Sequence, residues 1–165
     1  MMTRFIAQIM LRELASLRAE IEAYDEADLW SVPDGISNSA GTLALHLCGN
    51  LQHYVGAKLG GSAYVRDRDA EFARRNVSCA ELFDQVTAAE AAVQTTFAKL
   101  GDADLAAKFP EEVMGRTVTT GNFLVHLVSH LAYHLGQIDY HRRLLARTGG
   151  AVSNLSIRHL DSAQT

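Results

Sequence analysis

Residues 122–141 read NFLVHLVSHLAYHLGQIDYH, and this stretch decides how the rest of the chain is read. Leu127, Leu131, Leu135 and Ile138 recur every third or fourth residue, the period of a helix with one apolar face. His126, His130 and His134 recur every fourth residue beside that face, and Gln137 and His141 continue the row. At about 100° per residue these five positions lie within roughly 80° of helix circumference. His134 is angularly closest to the apolar stripe, His141 and His130 follow, and His126 is farthest round. The inner imidazoles therefore belong at the edge of a core. The helix is expected from about Thr120 to Arg147, capped by Thr119 or Thr120 and ended by Gly149-Gly150, roughly 40 Å long.

Three more segments carry the same period. The first runs from about Thr3 to Tyr24, with Ile6, Met10, Leu14, Leu17 and Ile21 on one line. The stretch SVPDGISNSAG that follows it is a loop by composition. Ser39 then caps a second helix to about Leu59, with Leu43, Leu47 and Leu51 on its stripe and Gly60-Gly61 as its stop. The charged connector YVRDRDAEFARRN leaves room for a turn or two of helix. A third helix starts at Ser78, where Ser-Cys-Ala-Glu matches a capping box, and carries Leu82, Val86, Val93, Phe97 and Leu100. Phe109 to Val118 is expected as an irregular loop or a short β-hairpin. The tail, residues 149–165, has no strong pattern, although Leu155, Ile157 and Leu160 could dock on the bundle or on a partner subunit. Four amphipathic helices bury their stripes only by packing together, so the fold is expected to be all-α, one four-helix bundle domain over 1–165.

Composition narrows the function. With only 2 prolines the chain suits long helices. A net charge of -4 gives no basic footprint for a nucleic acid. Arg142, Arg143 and Arg147 are explained by the C-terminal end of a helix. No apolar run approaches the roughly 20 residues of a membrane span. Cys48 and Cys79 form no motif and read as reduced thiols, with a single disulfide the alternative. The N-terminal stretch lacks signal-peptide architecture, so the expected location is cytoplasmic.

Residues i and i+4 on a helix hold their Cβ atoms about 6 Å apart, so two imidazoles can converge on one metal ion. Two ligands seldom suffice, and a third must come from a facing helix. The second helix offers His46 in LALHLCGNLQHY, with Asn50 one turn on and His53 two turns on. The alternatives are buried neutral imidazoles bonded to carbonyls for the central pair, and a solvated row for His126 and His141. His53 and His159 read as surface residues, and Tyr54, Tyr133 and Tyr140 as packing at the edge of the core. No helix carries Glu-x-x-His, and no zincin, nucleophile-elbow or phosphate-loop motif occurs.

These residues resemble the DinB-like superfamily of bacterial proteins, with its YfiT-type members. The C-terminal helix of that family carries His-x-x-x-His running into Arg-Gly-Gln or a similar tripeptide. Here His130-Leu-Ala-Tyr-His134 runs into Leu135-Gly136-Gln137, with leucine in place of the arginine, so that contact is absent. The family's third ligand follows a Ser/Asn-rich entry to the second helix, which SNSAGTLALHLCGNL matches at His46. LHLCGNLQHYVGAKLGG followed by RDRDAEF is similar to one uncharacterised subgroup. The resemblance runs from the first helix to about Arg147. It implies metal ligands at His46, His130 and His134, up-down-down-up topology, a homodimer, and a divalent ion, with zinc or nickel foremost. Some similar proteins are S-transferases or isomerases that use low-molecular-weight thiols such as bacillithiol or mycothiol.

The expected function is therefore a metal-dependent enzyme that activates a thiol or water for transfer to, or hydrolysis of, a small electrophile. Asn50, Gln137 and His126 are candidates to hydrogen-bond a ligand or the substrate. The sequence identifies no general base. The alternative is a non-catalytic metal- or ligand-binding bundle, its ion closed off by a fourth ligand such as His126 or Glu111.

Overall fold

The structure, a computed structural model, describes residues 1–146 together with Val152, Ile157 and Leu160. Its long helices are α1 (Met2–Glu22), α3 (Ala40–Leu51), α5 (Cys79–Phe97) and α6 (Thr120–Ala146). Two short helices, α2 (Glu26–Leu29) and α4 (Arg68–Ala73), lie in the connectors, and a 3-10 turn spans Asp102–Ala106. The helix begun by α3 does not end at Leu51 but widens into a π-helix, Gln52–Leu59. His159 and Leu155 fall outside the described residues.

The caps sit where side-chain chemistry puts them. Ser39 Oγ accepts from Thr42 N at 3.1 Å and Ser78 Oγ from Glu81 N at 3.2 Å. Thr119 Oγ1 accepts from Asn122 N at 3.3 Å and so opens α6. The start of α1 has no cap of its own. Asp102 reaches across instead, taking the N–H groups of Met2 and Thr3 at 3.0 and 2.9 Å. Each of these bonds satisfies a donor that the first helical turn leaves open.

α1 packs against α5 and α6, and α3 packs against the same two, so α1 and α3 stand diagonally across the bundle. Cross-helix bonds fix the directions. Arg142 at the far end of α6 pairs with Glu20 at the far end of α1, so these two run parallel. His46 faces His130 and Tyr54 faces Phe123, so α3 and α6 run antiparallel. Gly56 meets Ala92, and Gly60 meets Thr96, so α3 and α5 run parallel. The order is up-down-down-up, as expected. The predicted stripes are its core: Met10, Leu14, Leu17, Leu47, Leu51, Leu82, Val86, Val93, Leu127, Leu131 and Ile138 are all buried.

Among the described residues there is no β-sheet. The expected hairpin exists as a turn with two isolated antiparallel bridges, Lys108 with Thr119 and Val113 with Arg116. Met114 and Gly115 both take positive φ, 50° and 72°, the backbone of a two-residue hairpin turn. Pro110 has no N–H to give a ladder, which limits pairing on that arm. Phe109 beside it is fully buried, its ring 4.6 Å from that of Phe123. No helix among the described residues is long and apolar enough to cross a membrane.

Candidate metal centre

α3 and α6 cross so that His46, buried on α3, meets His130 and His134, half-buried one turn apart on α6. The ring centroids stand 5.1 Å apart for His46 and His130, 5.4 Å for His46 and His134, and 4.5 Å for His130 and His134. The interplanar angles of 75°, 89° and 84° set the three rings edge-on around a common point. One nitrogen from each lies within 4.8 Å of the others, which positions the three to hold a metal ion.

The inner nitrogens have the right identity. His46 Nε2 and His130 Nε2 are 3.2 Å apart. Two nitrogens each about 2.05 Å from a tetrahedral ion stand about 3.3 Å apart, so the gap matches a shared ion. His134 Nδ1 donates to Gln137 Oε1 at 2.7 Å, which leaves its Nε2 without a proton. His46 Nδ1 lies 3.0 Å from Glu71 Oε2, and the same logic leaves its Nε2 bare.

The electrostatics favour neutral imidazoles. Burial pushes His130 down to about 4, helped by the neighbouring His134, His46 and His126 and by Arg66. Burial also lowers His134, against the bond to Gln137 that works the other way. Ligand histidines must be neutral, and burial favours that state for His130 and His134 without any metal. The donor set therefore fits a divalent ion bound through nitrogen.

The predicted helpers divide. Gln137 bonds a candidate ligand directly. Asn50 is buried one turn beyond His46. His126 is exposed and stacks on Phe123 at 5.8 Å, outside the three-histidine group. Glu111 salt-bridges to Lys58 at 2.6 Å and stands 3.4 Å from His53, so neither proposed closing ligand closes the site. His141 is not solvated as the row suggested. It is 4% exposed, with Nε2 donating to the Ser31 carbonyl at 3.0 Å and Nδ1 2.9 Å from the Tyr24 hydroxyl. Tyr133 and Tyr140, expected at the edge of the core, are exposed instead, beside His134 at an open cavity.

Sequence reasoning missed a second layer behind His46. Arg66 grips Glu71 with two bonds, Nε to Oε1 at 2.7 Å and Nη2 to Oε2 at 2.8 Å. Burial works to raise the Glu71 carboxyl, but the bonds from Arg66 and His46 win and hold it below its usual range. The Phe72 ring lies 4.9 Å from the imidazole. Both charged residues come from the connector RDRDAEF, whose net pattern looks merely solvated.

On the other side, a cavity of about 620 Å³ opens beside His134 and Gln137. Ile36, Leu43, Tyr133, Tyr140 and Leu144 form its apolar wall, and Asn38 adds an amide. Among the described residues its lining carries no Lys, Arg, Asp or Glu.

A family model described as the DinB superfamily matches residues 10–138, most of the chain and all three histidines. The chain belongs to the DinB superfamily. A crystal structure of a DinB-like protein from Bacillus cereus ATCC 10987 is similar in fold, with a TM-score of 0.67. The two are 19% identical, and the match covers 86% of this chain and 91% of the other. Among curated proteins, none matches this DinB-superfamily chain.

Proposed function

We propose that this DinB-superfamily protein is a metal-dependent enzyme, with His46, His130 and His134 holding a divalent zinc or nickel ion. One observation carries the reading: three imidazoles converge, one of them, His134, at the edge of an open cavity, with no fourth side chain in the group among the described residues. A structural ion is normally enclosed by four protein ligands, whereas a catalytic one keeps a position for water or substrate. Such an ion would supply Lewis acidity, lowering the pKa of a thiol or water to near neutrality.

The chain's own residues do the rest. Gln137 and Glu71 orient two of the imidazoles. The tyrosines and aliphatic side chains of the cavity exclude water from an apolar substrate body, and Asn38 offers an amide to its polar end. An uncharged lining suits a small, neutral electrophile that receives a low-molecular-weight thiol or is hydrolysed. Cys48 and Cys79 are both free thiols, which supports a cytoplasmic setting. Resemblance to the family supports a homodimer.

The test is thiol transfer to small electrophiles by zinc- or nickel-loaded protein, set against a His130→Ala/His134→Ala variant. The wild type should turn over and the variant should fall to the uncatalysed rate. Equal rates would end the catalytic reading.

A further inference from the structure

Glu71 approaches His46 as closely as it does because of Gly49. A Cβ on Gly49 would lie 2.2 Å from Glu71 Oε1 and 2.8 Å from Cδ, so any side chain there displaces the carboxylate. Gly49 sits three residues beyond His46 on α3, the same face of the helix. Glu71 is 6% exposed and its two oxygens are held by Arg66, so it has one place to be. Gly49 on α3, Glu71 on α4 and Arg66 in the connector before α4 thus fit one nitrogen of one histidine.

That nitrogen faces competing neighbours. Glu71 Oε2 accepts from Nδ1 at 3.0 Å, while Arg66 Nη2, which can only donate, stands 3.3 Å from the same atom. The two demands are opposite. A carboxylate requires a proton on Nδ1 and leaves Nε2 bare. A guanidinium alone requires a bare Nδ1 and moves the proton to Nε2, the atom that points at His130.

We propose that Glu71, clamped by Arg66 and admitted by Gly49, is a positioning residue that fixes His46 in the tautomer with Nε2 open to a metal. Without the carboxylate, Arg66 selects the wrong tautomer, and the site presents a proton where it needs a lone pair. The metal part of this rests on the reading given under the proposed function; the tautomer part does not.

The experiment reads both in one set of samples. Metal-free full chain, labelled with 13C and 15N, reports the His46 tautomer through its ring-carbon and ring-nitrogen shifts. Zinc titration of the same samples reports affinity. Wild type should show Nδ1–H at His46. Glu71→Ala should shift it to Nε2–H and weaken zinc by about 10–100-fold, the usual cost of losing a partner of a metal-bound histidine. Gly49→Ala keeps Glu71 and favours the helix, so it tests the same contact where Glu71→Ala fails to fold. It should shift the tautomer in the same direction. Removing Arg66 as well, in Arg66→Ala/Glu71→Ala, should relieve the bias towards Nε2–H. Nδ1–H retained in both Glu71→Ala and Gly49→Ala, or Nε2–H in the wild type, overturns the proposal. Failure of the wild type to bind zinc, with the tautomers behaving as stated, overturns the metal reading alone.

Discussion

At His130 all effects act in one direction: burial, the adjacent His134, His46 across the helix boundary, His126 and Arg66 all resist a positive charge. The unfolded chain takes up this proton near the ordinary value of 6.5, whereas the folded chain waits until about 4. Between those values the unfolded state binds more protons, so stability rises with pH. The metal-free protein should hold its His130 contribution above pH 6.5 and lose it progressively as pH falls towards 4. Urea unfolding at pH 7, 6, 5 and 4 checks this, and His130→Ala should show a shallower slope; identical slopes would contradict it. The i,i+4 spacing made a row of histidines legible, and the resemblance to the family picked His46, His130 and His134 out of the candidates. Glu71 and Arg66 were not, because their meaning depends on a contact across 25 residues of sequence that no periodicity records. Gly49 was legible as a helical glycine only, and its role appears once Glu71 is seen against it.

At the scale of elements, Ser39 to Leu59 reads as one helix from its apolar period, yet its second half is a π-helix. The cause lies in α5. Thr96 Oγ1 donates to the Val55 carbonyl at 3.0 Å, and Gly60 N donates to the same carbonyl at 2.9 Å, spanning five residues. Close approach is possible because Gly56 and Gly60 face Ala92 and Thr96. A Cβ at Gly60 would stand 2.2 Å from Thr96 Oγ1 and 2.7 Å from the Gly56 carbonyl oxygen. Gly60→Ala is therefore expected to lower unfolding free energy by about 1–3 kcal/mol, the range of overpacked cores. Denaturant titration reads this directly, and unchanged stability would show that the contact relaxes. π-helical turns cluster at functional sites, and this one begins six residues after His46. His141 shows the same limit of pattern reading, since the angular position was known but the cover from Tyr24 and Ser31 was not.

For the whole molecule, up-down-down-up order makes α1 and α6 parallel neighbours, and their far ends are joined by Arg142 and Glu20. Both are buried, Nε to Oε2 is 2.6 Å, and Asp139 stands 3.3 Å from Nη2. Breaking a buried pair leaves a charge without its compensation, which costs about 3–5 kcal/mol. Glu20→Ala should fall near the lower end, about 3 kcal/mol, because Asp139 remains beside Arg142. A loss under about 1 kcal/mol by thermal or denaturant unfolding would place the pair among solvent-screened ones. The helix stripes made this architecture readable from sequence, whereas the buried charges that join it were visible only as ordinary Glu and Arg on polar positions. The arrangement as a whole serves to hold α3 and α6 at the crossing where the three imidazoles meet. X-ray absorption at the metal edge of the zinc-loaded protein tests that most directly. It should show one ion per chain with three imidazole nitrogens at about 2.0–2.1 Å and one exchangeable light atom. Substoichiometric zinc, two or fewer imidazoles, or a fourth protein ligand would contradict the account.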